Sequence, residues 1–142
     1  MKENINALNE IHKGSCMGMD AIIFILDKVS DKALKKELEH EYIEYKKIAE
    51  EIEEIYPKYN GGEPQETSGM TKTMTWTGIE MKTFNDKSSS KIAEILLNGV
   101  NMGIIEGRRV LNNKKISKEL NTIISKYVTM QEQNMENLKQ YL

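Results

Sequence analysis

The residues of this 142-residue chain best suited to chemistry are a histidine and two carboxyl groups that fall in register with apolar helical seams: His12, Glu41 and Glu106. Glu41 interrupts the run Leu34, Leu38, Tyr45, Ile48, Ile52, Ile55, and Glu106 follows Ile92, Leu96, Gly99 and Gly103 in steps of three and four. Asp20 stands beside Ala21, the position in the first helix that corresponds to Glu106. A carboxylate among apolar side chains needs a proton, a cation or several donors. His12, Asp20, Glu41 and Glu106 are therefore candidates for a small mononuclear metal or ligand site. The plainer reading is a hydrogen-bonded polar layer, or helix ends that are partly exposed, and we take it as the default.

Other reactive types are thinly supplied. Cys16 is the single cysteine, which rules out an internal disulfide and suits a reducing compartment. It sits beside Gly14 and Gly18, and no basic helper stands near it in sequence, so its thiol is expected to be buried and inert. A reactive-thiol protein centred on Cys16 is the competing reading. Tyr42, Tyr45 and Tyr127 supply hydroxyl partners for a polar layer or fill space. The nine methionines, Met17, Met19, Met70, Met74, Met81 and Met102 among them, read as core filler ahead of an adaptable binding surface. Arg108, Arg109, Lys114, Lys115 and Lys118 gather at a helix C-terminus, where they complement the macrodipole. No Gly-rich phosphate loop, Ser/His/Asp constellation or Cys-x-x-Cys is present, and no catalytic residue is assigned.

Long helices must position these groups. Residues 3–29 carry Ile5, Leu8, His12, Ser15, Met19, Ile22, Leu26 and Val29 on one seam. Asp31 is placed to cap a second helix over 32–56, and the short link forces an antiparallel hairpin. Pro57 to Glu66, with Asn60-Gly61-Gly62 and Pro64, is the evident break. Thr67 or Ser68 then caps a shorter crossover helix with Met70, Met74, Thr77, Met81 and Phe84 along one side, and with the only tryptophan, Trp76. A third long helix is expected over about 87–111 and a fourth over about 117–141, the latter with Leu120, Ile124, Tyr127, Gln131, Asn134, Leu138 and Tyr141 on its seam. Gly14-x-x-Met17-Gly18 in the first helix is echoed by Gly99-x-x-Met102-Gly103 in the third, with Gly107 one turn on. Glycine inside a helix costs roughly 0.5–1 kcal/mol against alanine. Gly14, Gly18, Gly99, Gly103 and Gly107 are therefore expected to mark helix contacts where two main chains come close. The two hairpins read as related copies, and the long connection lets the second and third helices run parallel.

Bulk composition narrows the classes. Acidic residues (22) nearly balance basic ones (20), which argues against a nucleic-acid partner. Both prolines, Pro57 and Pro64, lie in the one break. The longest apolar run, Ala21 to Leu26, is far short of the ~20 residues of a membrane span, and no secretory signal is visible. A cytoplasmic protein with no membrane partner is the default.

Hairpin, crossover, hairpin is a layout that resembles the ferritin-like bundles. The opening Leu8-x-x-Ile11, the loop Asn60-Gly61-Gly62-Glu63-Pro64, Ser68-Gly69 and the Trp76…Lys82 stretch resemble small, uncharacterised bacterial families related to rubrerythrin. The resemblance covers nearly the whole chain. It implies an all-α, ferritin-like four-helix bundle: a single domain over 1–142, with hairpin one at 3–56, crossover loop and short helix at 57–86 and hairpin two at 87–142. The catalytic branch of that superfamily takes a Glu from each of two helices and Glu-x-x-His from the other two. Here Glu37-x-x-His40 is the only such pair, and the matching stretch of the fourth helix is Ile123, Ile124, Ser125, Lys126. A complete di-metal site therefore fails on ligand count. Two expectations result. The first is a non-catalytic bundle that works by self-association or by protein or small-ligand binding, as a homo-oligomer with the Met- and Trp-bearing helix available for contacts. The alternative is a reduced iron or zinc site drawing on His12, Asp20, Glu37, His40, Glu41 and Glu106.

Overall fold

Capping serines and an aspartate divide the chain into its helices. The computed structural model describes residues 2–60, 62–65 and 67–142. Gly61 and Glu66, which the sequence assigns to the loop break, lie outside the described residues, as does Met1. The fold is all-α: α1 (Lys2–Leu26), α2 (Lys32–Ile55), a single 3-10 turn at Tyr56–Lys58, α3 (Gly69–Thr83), α4 (Ser89–Leu111) and α5 (Lys118–Lys139), with no strand among the described residues. Asp31 accepts from the Leu34 amide at 2.9 Å and opens α2. Ser68, Ser88 and Ser117 do the same for α3, α4 and α5, each supplying an acceptor to a first-turn amide that has no partner within its helix. The first helix ends at Leu26, three residues before the seam suggested. Asp27 and Lys28 form a turn there, and the Lys28 ammonium folds back to the Phe24 carbonyl at 3.4 Å.

Contacts between sequence-distant residues set the helix directions. The start of α1 lies beside the turn after α4: Asn4 Oδ1 accepts from the Ser117 amide at 2.9 Å, and Glu3 pairs with Lys115 at 3.8 Å. α1 is thus antiparallel to α4 as well as to α2. Asn137 donates to Glu37 and Lys126 pairs with Glu51, so α5 runs antiparallel to α2. α2 and α4 therefore point the same way. The chain gains that arrangement through α3, which packs on α1 and α4. Its first turn sits near Asn9 and Lys13, while Glu80 near its end receives a hydrogen bond from Lys28 at 2.5 Å.

Leu8, Ile11, Ile25, Leu34, Leu38, Ile52, Leu120, Ile124 and Leu138 are almost fully buried between the four long helices. Each contributes about 1.5–3 kcal/mol by leaving water. No described helix is long and apolar enough to cross a membrane.

Candidate binding cleft

The glycines of α1 and α4 make room for side chains. A Cβ at Gly14 would stand 2.7 Å from the Tyr127 hydroxyl oxygen, and one at Gly18 would stand 2.7 Å from Tyr45 Cζ. At Gly103 it would meet Gln131 Nε2 at 2.5 Å, and at Gly107 Val128 Cγ2 at 2.5 Å. The expectation of two main chains nearly touching is corrected on this point: residues of α2 and α5 reach across and occupy the vacated volume. Gly99 departs further, being exposed with no atom within 4 Å of an added Cβ.

The side chains that reach across form a chain of hydrogen bonds. The Tyr45 hydroxyl donates to Gln131 Oε1 at 2.7 Å, and Gln131 Nε2 donates to the Tyr127 hydroxyl at 3.0 Å. All three are buried, so each bond lies in surroundings of low dielectric. Burial pushes the Tyr127 phenol up to about 12 and the Tyr45 phenol higher still, which keeps both as neutral hydroxyls. The fully buried Asn134 amide lies beside the Tyr45 hydroxyl.

Glu41, one turn before Tyr45 on α2, is 2% exposed. Burial first, then the neighbouring carboxyl of Glu37 and the charge of Glu44, push its pKa up to about 10. It is a neutral acid at physiological pH, and its Oε2 has no hydrogen-bond partner among the described residues.

Above this polar floor opens a cleft of about 340 Å³ between α1, α3 and α4. Met17, Ala21 and Ile22 wall it on α1, Met74 and Ile79 on α3, and Ile95, Leu96, Val100 and Met102 on α4. Glu41, Tyr45, Tyr127 and Gln131 reach it from α2 and α5, with Glu106, Asn98 and Lys82 also on its lining. Gly78 and Gly99 line it too, and neither has an atom within 4 Å of an added Cβ, so they keep the cleft open. Its size and its apolar walls with a few convergent polar groups are those of a small-molecule site.

The family described as a domain of unknown function, DUF2383, matches residues 3–113, from the first turn of α1 to just past α4. The chain belongs to the DUF2383 family. No curated protein and no solved structure matches it. The match in this DUF2383 chain stops before α5, so Tyr127 and Gln131 are supplied to the cleft from beyond it.

The metal candidates of the DUF2383 chain are not gathered. His12 is buried, but its Nε2 faces Glu53 Oε2 at 3.2 Å on the side away from the cleft. His40 is largely exposed and pairs with Glu44 at 3.4 Å. Glu37 is held by Asn137 at 3.2 Å, and Asp20 is half-buried and outside the cleft lining. Glu41 and Glu106 alone share the cleft. Among the described residues no three His, Cys, Asp or Glu side chains converge to hold a metal ion. The described residues do not fit the iron or zinc group that the resemblance to ferritin-like proteins implies. Helical register explains the scatter, because Glu37 and His40 are each drawn to a different neighbour and His12 faces the C-terminal half of α2.

Cys16 is the other correction. Its Sγ lies 3.8 Å from His12 Nδ1, one turn back on the same helix, and both residues line a hollow with Tyr42, Glu53 and Pro64. The i,i+4 spacing of His12 and Cys16 was the available signal. Sequence reasoning also missed Glu53 as the partner of His12, for which the sequence carries no signal.

Proposed function

We propose that this protein is a non-catalytic, ferritin-like four-helix bundle that works by association with a second copy of itself through the outward face of α3. The paired hairpins with a returning crossover support the ferritin-like layout. One observation carries the association. Met70, Met74, Met81 and Phe84 share one helical side at the spacing of a core seam, yet they are 76%, 68%, 74% and 81% exposed. Trp76 on the same helix, and Met102 and Ile105 on α4, extend the exposed apolar surface. Only Ile79 and Thr83 of α3 are buried, so this helix presents most of its apolar surface to the outside. An apolar seam on that scale marks an interaction surface.

Covering four such side chains contributes roughly 6–12 kcal/mol gross. The freedom lost on association is of similar size, about 4–15 kcal/mol. The dimer is therefore expected to depend on concentration. Sedimentation over a series from about 1 to 500 µM tests this. The wild-type mass rises toward a dimer, while Met81→Asp and Phe84→Asp chains stay monomeric and keep their helical content. A wild-type chain that sediments as a monomer throughout, or variants that associate equally well, would refute the reading.

A further inference from the structure

The cleft beside α3 shares Met74 and Met102 with the exposed apolar surface but has a chemical polarity of its own. Its walls are apolar, and glycine at 78 and 99 leaves space that no side chain fills. The groups at its floor are unequal in what they have left to offer. Tyr45, Gln131 and Tyr127 already satisfy one another in a line. The Glu41 carboxyl lies beside that of Glu37, and its Oε2, buried and without a partner among the described residues, is an acceptor on the cleft lining. A buried acceptor in that position is completed by a donor from outside the chain. Glu106, on α4, adds a second carboxyl group to the same lining, and among the described residues Lys82 on α3 is its only basic member.

We propose that the cleft binds a small amine on an apolar body, with the alkyl portion between Met17, Met74 and Met102 and the ammonium group donating to Glu41 Oε2. A charge-assisted hydrogen bond is about twice as strong as a neutral one. An alkyl alcohol fills the same volume with one donor and no charge. An alkyl carboxylate brings no donor and meets two acidic groups.

The test uses octylamine, octanol and octanoate with the whole protein, reading affinity by calorimetry and location by the NMR methyl shifts of the methionines. Octylamine is expected to shift Met17, Met74 and Met102, to leave Met130 and Met135 unmoved, and to bind at least tenfold more tightly than the other two. Glu41→Leu keeps the site neutral at similar volume but has no oxygen to accept from the ammonium, and it is expected to weaken octylamine at least tenfold. Gly99→Leu projects a side chain into open space, so the chain folds, and it is expected to abolish the shifts. The proposal is overturned if octanol or octanoate binds as well, if the three methyls do not move, or if Glu41→Leu or Gly99→Leu leaves the affinity unchanged. Met74 and Met102 also belong to the exposed apolar surface, so the shifts are read at a concentration where sedimentation shows only monomer, and the sedimentation series decides dimerisation by itself.

Discussion

Tyr45 and Gly18 fit face to face: the ring of the tyrosine on α2 lies where a side chain on α1 would be, with Cζ 2.7 Å and both Cε atoms 2.8 Å from an added Cβ. The ring is 4% exposed and its hydroxyl is tied to Gln131, so it has nowhere to retreat. Gly18→Ala gains about 0.5–1 kcal/mol of helix propensity and loses about 1–3 kcal/mol to overpacking. The expected outcome is a net loss of about 1–2 kcal/mol, read as a lower urea midpoint with an unchanged m-value. Gly99→Ala meets nothing within 4 Å and should raise the midpoint instead.

Glu41 makes stability depend on pH. The folded chain keeps its proton up to about 10, whereas an unfolded chain releases it above the ordinary value of 4.5. Between those limits the native state binds more protons, so the contribution of Glu41 falls as pH rises, by up to about 1.4 kcal/mol per unit. Glu41→Gln carries no such proton. The stability difference between Glu41→Gln and wild type, measured by urea titration, should therefore grow in favour of the variant from pH 5 to pH 9. A constant difference across that range would show that Glu41 is ionised in the fold.

The hydrogen bond between Tyr45 and Gln131 should appear as a coupling energy. Tyr45→Phe strands Gln131 Oε1 in the interior, at a cost of about 1–3 kcal/mol. Gln131→Met removes the acceptor at similar volume. The double variant is expected to lose less than the sum of the two singles by about 1 kcal/mol. Strict additivity in denaturant unfolding would mean that the bond does not form.

Lys28 fastens α3 to the end of α1. Its side chain is 7% exposed and donates to Glu80, Asp27 and the Phe24 carbonyl. Glu80 is partly exposed, so Glu80→Ala should lose only about 1 kcal/mol. Because α3 buries so little, that loss should be local. Hydrogen exchange is expected to speed up across 70–83 and to stay unchanged in the amides of α2 and α5.

Local chemistry made much of this architecture legible in advance. Asp31, and Ser68 of the pair Thr67 or Ser68, cap α2 and α3 as their spacing suggested, because a cap needs only a short-range acceptor. The seam through Glu41 and Tyr45, and the one through Tyr127, Gln131 and Asn134, followed from periodicity alone, and those residues are buried. Rotation of one helix about another was not legible. The glycine patches showed that volume is vacated, but Tyr45 and Tyr127 as its occupants depend on helices that meet 27 and 113 residues away in the chain. The seam on α3 has the spacing of a core face, and periodicity carries no sign that tells inside from outside. His12 meets Glu53 across 41 residues, which spacing within one helix does not encode.

The return leg formed by α3 governs more than its own few contacts. α2 is 24 residues long, about 36 Å at 1.5 Å per residue, and the chain must retrace that distance before α4 begins. A tight turn in place of 59–86 could not cover it, and the second hairpin would dock upside down. Gln131 would then fall out of register with Tyr45, and the buried line of hydrogen bonds from Tyr45 through Gln131 to Tyr127 would be lost. The polar interior exists because the polypeptide doubles back.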